Sequence, residues 1–397
     1  MKRVIILLLS ILLIGCGTSL SSNSIDAPNI ENTGARCSLS LHQQIDQLAQ
    51  PQIDSGHTPG MVVGIITADG QQQIFSYGYT DTDRLIPVDG DTLFAVGSIS
   101  KGFTAESAAL LVQHGQLSWQ DTLGQLLPRS NKLSPDARRI TVEQLASHTS
   151  GLPRQVSNIA MLDKLVYYLF TGAPFYGDLD SGDYNDFLRN FHTLAQGKVI
   201  YSNLGYALLD QALEQHSGRP VPQLVNSLIL QPLAMKHSGY YPQLLPGYIR
   251  RARGHAGDQP KFVARGEVVP EWHFSGYMMG AASLWSSAGD LLKYLSAHLH
   301  ASGNPTRDRA FADAMRMRLY ASDDDSAALG WLANHIYGQD IIYQSGFIGG
   351  YASYIGMDRR HGNAIVVLQN SFNWDNDIGH RMLLRMAQAA DNPGRCD

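Results

Sequence analysis

The sequence predicts an α+β fold: one antiparallel sheet built from N- and C-terminal segments and flanked by helices, with a mainly helical second lobe. Three observations carry this. Two strand-like segments, Met61 to Thr67 and Gln73 to Tyr79, surround the hairpin signal Ala68-Asp69-Gly70. Four more fall in the last third: Gly330 to Ile336, Ile341 to Ser345, Tyr351 to Met357 and Asn363 to Asn370. Between the two groups, apolar residues recur mainly at helical spacing. Strands early and late, separated by helices, fit one sheet closed by both ends of the chain.

At 397 residues the chain can bury a large core. With 44% hydrophobic and 16% charged residues, its composition is that of an ordinary globular protein. A net charge of −5 and the absence of any Lys/Arg run argue against a nucleic-acid partner. The expected organisation is a leader over 1–15, a tether over 16–39 and a folded domain over 40–397. Its α/β lobe covers about 40–90 and 271–397, and its helical lobe about 91–270.

In chain order, Lys2 and Arg3 precede an apolar run, Val4 to Ile14, too short to span a membrane comfortably. It ends Leu13-Ile14-Gly15-Cys16, which looks like a bacterial lipobox, with Cys16 lipidated as the mature N-terminus. The alternative is a plain signal peptide with a coincidental cysteine. Lipidation implies a periplasmic location, anchored to the outer membrane in a Gram-negative cell. Residues 17–36 are rich in Ser, Asn, Gly and Thr, as in a flexible tether. Cys37 and Cys396 sit near the two ends of the fold, and export permits a disulfide between them. Closing so long a loop is worth roughly 4–5 kcal/mol in the entropy model. Two free surface thiols are the alternative. No Cys or His pair shows metal-ligand spacing.

A helix begins near Ser40, with Leu41, Ile45 and Leu48 on one face, and Pro51 is expected to end it. Later helices are expected after Thr141, over Leu204 to His216, after Gly289 and over about Asp375 to Ala390. Residues 154–198 show no clear period; Asp178, Asp180, Asp183 and Asp186 read as a solvated loop, since their spacing misses the calcium-loop pattern.

The chemistry centres on Ser98-Ile99-Ser100-Lys101, where an extended segment gives way to a helix that Gly115 stops. Residues i and i+3 are helix neighbours, so Lys101 can reach Ser98. A hydroxyl becomes a nucleophile when a base takes its proton, and a lysine kept partly neutral can do so. Tyr201-Ser202-Asn203 precedes a second helix. Beside a positive Lys101, Tyr201 is expected to have a lowered pKa and to serve as general base and acid. Asn203 offers an amide to orient Lys101 or hold a substrate carbonyl. Read singly, the same residues make an ordinary helix start. Gln344-Ser345-Gly346-Phe347 lies on a late strand, and the amides of Ser98 and Phe347 could form an oxyanion hole.

These three segments, in this order, resemble the serine hydrolases that include class C β-lactamases, D-alanyl-D-alanine carboxypeptidases and related esterases. The likeness extends to Gly60-Met61-Val62-Val63-Gly64, Asp91-Thr92-Leu93-Phe94, His148-Thr149-Ser150-Gly151-Leu152-Pro153, Pro232-Leu233-Ala234-Met235 and Ser286-Ser287-Ala288-Gly289-Asp290-Leu291, from about residue 40 to 390. It implies a β-lactamase/transpeptidase-like fold with acylation of Ser98 and proton transfer by Lys101 and Tyr201. Substrate would be bound by Asn203, Gln344, Ser345 and Gly346, with no metal or organic cofactor. The implied partners are D-amino-acid peptides, β-lactams or esters; a non-catalytic wall-binding lipoprotein is a third reading. One departure stands out. Relatives of this type carry Lys or His where this chain has Gln344, and losing a charge-assisted contact would weaken carboxylate binding by roughly 1.5–3 kcal/mol. Arg250, Arg251 and Arg253 form a cationic group of unassigned role.

Other polar residues read as structural. His148 is expected to shape its loop, His298 and His300 to lie on the surface, and Asp290 to cap a helix dipole. The run Tyr167, Tyr168, Phe170, Phe175 and Tyr176 is expected to pack in the core. No Gly-x-Ser-x-Gly occurs, which argues against an α/β-hydrolase elbow.

Overall fold

The computed structural model describes residues 39–127, 132–156, 159–176, 181–193, 198–274, 276–320 and 326–391. Cys16, Cys37, Cys396, Asp178 and Asp180 lie outside them.

Helix α1 (Leu41–Asp54) opens with a reciprocal capping box: the Gln43 amide donates to Ser40 Oγ, and the Ser40 amide to Gln43 Oε1. Pro51 does not end α1 but sits in its last turn. Proline removes one donor there, while its carbonyl still accepts from the Ser55 amide at 3.0 Å.

Strands β1 (Gly60–Ile66) and β2 (Gln72–Gly78) form the expected hairpin. Short β3 (Phe94–Ala95) pairs with β4 (Trp285–Ser286) away from the main sheet. The main sheet is antiparallel throughout and runs β2-β1-β10-β9-β8-β7-β6-β5. Its C-terminal strands are β5 (Leu319–Tyr320), β6 (Ser326–Ala327), β7 (Leu332–Ile336), β8 (Gln339–Ile348), β9 (Tyr351–Asp358) and β10 (Asn363–Gln369).

Both faces of the central strands are covered, so β1, β9 and β10 are buried at every residue. Period-two alternation sorts their side chains. Met61, Val63 and Ile65 join Ile45 of α1 and Met382 and Leu383 of the last helix. Val62 and Ile66 face the other core, with Leu291 and Leu292. Each fully buried aliphatic side chain is worth about 1.5–3 kcal/mol.

On that second side, α2 (Ser100–Gln113) is buried on all faces from Ser100 to Leu111. Phe103, Leu110 and Leu111 pack into the core, and small residues complete the other faces: Gly102, Ala105, Ser107, Ala108 and Ala109 let neighbours approach from every direction. Gly115 ends the helix region with φ +68°, as expected.

Around α2 lie α3 (Val142–Ala146), α4 (Ile159–Thr171), α5 (Ser181–Arg189), α6 (Asn203–Ser217), α7 (Met279–Ala282), α8 (Ala288–Leu299) and α9 (Pro305–Ala314); α10 (Ile378–Asp391) covers the opposite sheet face. Helix α5 corrects the aspartate-rich loop over 181–189. Among the described residues, no helix is long and apolar enough to cross a membrane.

Two polar expectations change. His298 is not on the surface: its Nε2 lies 2.6 Å from Glu106 of α2, and both side chains are fully buried. Its Nδ1 lies 2.8 Å from the Tyr294 carbonyl. Asp290 does more than meet a dipole. It is buried and accepts from the His237 amide, Ser238 Oγ and Lys293 Nζ. His300 is exposed, as expected.

Candidate active site

Ser98 sits on a single 3-10 turn, Gly97–Ile99, between β3 and α2. Several contacts fix this turn. The Val96 amide donates to the Leu284 carbonyl, and Ser100 Oγ donates to Gly97 O at 2.6 Å while accepting from the Leu284 amide. Gly97 has φ +51°, a conformation costly for other residues. A Cβ there would stand 3.1 Å from the Phe347 nitrogen. A Cβ on Gly346 would run into the Val96 carbonyl. These two glycines let the Ser98 turn press directly on β8.

Strand β8 is paired with β7 only as far as Tyr343. From Gln344 to Ile348 it pairs with β9 on one side, and its other edge faces the Ser98 turn. The backbone of Phe347 is thereby placed beside Ser98.

Lys101 lies one turn into α2 and is completely buried. Its Nζ is 2.9 Å from Ser98 Oγ and donates to the Ala281 carbonyl at 2.8 Å. Burial, and then the charge of Arg154, push its pKa well below the usual lysine range. A neutral amine in this place keeps a lone pair for the Ser98 proton.

The Ala281 carbonyl is itself held. Gly280 donates its amide to Asp210 Oδ2 at 2.7 Å and accepts from Thr104 Oγ1 at 2.8 Å. Burial lifts the Asp210 pKa up to about 7. Sequence reasoning missed Asp210; a lone acid in the middle of an apolar helix, α6, was the available signal.

Tyr201 enters from the loop before α6. Ser202 caps that helix by accepting from the Gly205 amide, and donates to the Pro153 carbonyl. The Ser202 amide donates to His148 Nδ1 at 3.0 Å, so the second nitrogen of a neutral His148 carries the proton. Burial, then Lys101 and Arg154, hold the His148 pKa well down, consistent with that tautomer. Its ring lies 4.4 Å from that of Tyr201, and its φ is +59°. His148 positions this loop, in the structural role expected.

The Tyr201 pKa corrects the sequence expectation. Burial raises it, against smaller lowering effects of Arg154 and Ser98. The group is a neutral phenol at ordinary pH and suits the acid role rather than the base role. Its buried hydroxyl closes no well-formed hydrogen bond among the described residues, although it is near enough to Ser98 to be tuned by it.

Asn203 donates to the Tyr176 hydroxyl at 3.1 Å, and Tyr176 donates to Gln155 Oε1. Lys101 is oriented by Ala281 and not by Asn203. Gln344 is buried on β8, and Ser345 is half-buried; neither lines the cleft beside Ser98. That cleft measures about 350 Å³ and is bordered by Ser98, Arg154, Asn203 and Phe347.

Arg154 is the cation that sequence reasoning missed. Its guanidinium lies 5.1 Å from the centroid of the Tyr201 ring, as does Lys101 Nζ. It directly follows the landmark ending at Pro153, a neighbourhood that could have flagged it. The three arginines singled out earlier lie elsewhere. Arg251 pairs with Glu271, Arg253 pairs with Asp81, and Arg250 is exposed. The aromatic run divides: Tyr168, Phe175 and Tyr176 line the cleft, whereas Tyr167 and Phe170 are exposed. Among the described residues, no cluster of His, Cys, Asp or Glu could hold a metal.

A serine on a tight turn, a buried lysine against it, a phenol beside both and an adjoining strand edge define a serine acyl-transfer type of site. The Beta-lactamase family model matches residues 45–389. A protein of Providencia stuartii named Beta-lactamase is 30% identical over 267 residues, covering 65% of this chain and 60% of that one. The Escherichia coli K12 protein named D-alanyl-D-alanine-carboxypeptidase/endopeptidase AmpH is 26% identical over 345 residues, covering 82% of this chain and 83% of that one. The crystal structure titled Beta-Lactamase/D-Alanine Carboxypeptidase from Pseudomonas syringae superposes with a TM-score of 0.72 at 19% identity, covering 87% of this chain and 99% of that one. The chain belongs to the Beta-lactamase family. It spans about 60% of the length of the Providencia relative.

Proposed function

We propose that the protein is a serine hydrolase that forms an acyl-enzyme on Ser98. One observation carries the reading: a fully buried lysine, held away from protonation, with its Nζ 2.9 Å from a serine hydroxyl. Neutral Lys101 takes the Ser98 proton as Oγ attacks the substrate carbonyl. The amides of Ser98 and Phe347 receive the oxyanion. When the C–N or C–O bond breaks, Tyr201 gives its proton to the leaving atom, and Lys101 returns its own to the tyrosinate. Water then attacks the ester, its proton going to Lys101, and Ser98 leaves with that proton.

The names of the relatives support an amide substrate, a D-amino-acid cell-wall peptide or a β-lactam. A second reading is carboxylester hydrolysis by the same residues: Gln344 is uncharged and buried on β8 away from the cleft, so position 344 supplies no cation for a substrate carboxylate. The intact serine, lysine and tyrosine weigh against a purely wall-binding role. The segment from Lys2 to Cys16 supports an exported, lipid-anchored protein of the envelope, and Gly17, rather than Asp, after Cys16 is in keeping with sorting to the outer membrane.

The test is labelling of the purified protein with a fluorescent β-lactam and with a fluorophosphonate, wild type against Ser98→Ala. Ser98-dependent labelling by at least one probe is expected. β-Lactam labelling favours the peptidase branch; fluorophosphonate labelling alone, with turnover of p-nitrophenyl esters, favours the esterase branch. Folded wild-type protein that neither probe labels would refute the proposal.

A further inference from the structure

Two groups of aromatic rings meet in the cleft beside Ser98. On one side stand Tyr168, Phe175 and Trp272, with Trp272 edge-on to the other two at 5.5 and 5.1 Å. On the other stand Phe347, Phe372 and Trp374, with ring centroids 4.8–5.3 Å apart. The rings are held by backbone and packing. Trp272 Nε1 donates to the Gly172 carbonyl at 2.9 Å. A Cβ on Gly349 would run into the Trp272 indole. The Trp374 amide donates to Asp258 Oδ2 at 2.9 Å, and the Phe372 amide to the His255 carbonyl.

Several polar atoms of this wall are already engaged within the protein, while Arg154 borders the cleft and Gln259 Oε1 closes no hydrogen bond among the described residues. Tyr176 and Asn203 bond each other, Gln155 accepts from Tyr176, and the Trp272 indole donates to Gly172. Over the ring faces themselves a polar group gains no partner, and buried polar groups without partners are costly. Rigid rings around a volume of about 350 Å³ instead match a bulky apolar group.

We infer that the cleft is a specificity pocket for an aromatic or branched apolar group on the acyl side of the scissile bond. Trp272 and Trp374, one in each ring group, are its determinants. The inference rests on the reading that Ser98 is acylated. It places the substrate among apolar acyl esters or amides.

Two measurements test it. The first compares kcat/KM for p-nitrophenyl acetate and p-nitrophenyl phenylacetate, which share a leaving group. The phenylacetate is expected to be preferred by about 30-fold, within the range for burying one aromatic group. Trp272→Ala and Trp374→Ala are each expected to cut the preference at least fivefold, and Trp272→Phe to retain most of it. The second titrates Ser98→Ala protein with phenylacetamide and with acetamide, followed by tryptophan fluorescence. Saturable binding of phenylacetamide alone, weakened by Trp374→Ala, is expected. No preference, or a preference that neither alanine variant reduces, overturns the pocket. Absent turnover and labelling with intact phenylacetamide binding overturns the Ser98 reading and leaves the pocket standing.

Discussion

Replacing Arg154 by alanine separates electrostatic tuning from substrate binding. Arg154 and Lys101 each place their charge 5.1 Å from the Tyr201 ring centroid, so they stand at most twice that distance apart. At about 10 Å and an effective dielectric of about 20, two unit charges interact by roughly 1.7 kcal/mol. Arg154 is half-exposed, and solvent screening reduces this to about 0.8 kcal/mol. The Lys101 pKa is lowered by burial first and by Arg154 second, so removing the guanidinium raises it. The base must be neutral to accept the Ser98 proton. The acidic limb of the pH–rate profile therefore moves up, and kcat/KM on that limb falls about fourfold, the factor that about 0.8 kcal/mol represents. Arg154 also lowers the Tyr201 pKa, so the alkaline limb moves upward too. The assay is kcat/KM from pH 5 to 9 with an uncharged p-nitrophenyl ester, so that no substrate carboxylate contributes. Arg154→Lys should restore most of the wild-type profile. An acidic limb that stays in place, or moves down, would refute the electrostatic role.

Three further outcomes are expected. Asp210 has a folded pKa of about 7 against an ordinary 3.8, so the folded state holds a proton that the unfolded state releases; stability therefore falls as pH rises from about 4 to 7, by up to about 4 kcal/mol. Asp210→Asn should flatten that slope in melting temperatures measured from pH 4.5 to 7.5, while Asp210→Ala should also slow acylation by freeing the Gly280–Ala281 turn. Gly346→Ala forces a methyl against the Val96 carbonyl and should cost about 1–3 kcal/mol in urea unfolding, with acylation of Ser98 slowed at least tenfold. His298→Ala removes the imidazole from the buried Glu106 side chain, leaving the Trp331 indole donating to it, and should cost about 3–5 kcal/mol; an effect below 1 kcal/mol would mean that water replaces the imidazole.

The long strands and their common sheet were legible because apolar runs such as Gly60–Ile66 and Asn363–Gln369 have few alternatives to a doubly covered sheet, whereas the strand order emerged only from the structure. The helix over 203–217 was legible from its period, its Ser202 cap and Gly218 at its C-cap. Helix α5 was not, because its aspartates mask a short amphipathic pattern. Pro51 misled because a proline in the last turn of a helix removes only one hydrogen bond. The Ser98–Lys101 pair was found by spacing and Tyr201 through the resemblance that the three segments carry, and the structure brings them together. The direction of the Tyr201 pKa was not legible, since burial outweighs the neighbouring cations and burial is a tertiary property. Arg154, Trp272 and Trp374 belong to no common motif and converge only when loops from three parts of the chain meet. His298 looked like a surface residue near a helix end, and nothing local reveals that Glu106, 192 positions earlier, lies against it.

The pairing of β1 with β10, Met61 opposite Gln369, has a consequence for how the protein is made. The first hairpin leaves the ribosome about 300 residues before its partner strand, a gap of roughly 15–60 s at 5–20 residues per second. Until then its apolar strand has one open edge, and the Ser98 turn lacks the strand that carries Phe347. Such non-local pairing slows folding and leaves partly made chains prone to aggregate. The same arrangement keeps the partly made chain chemically silent: a reactive serine exists only once the strand that carries Phe347 has been made and has docked on the Ser98 turn.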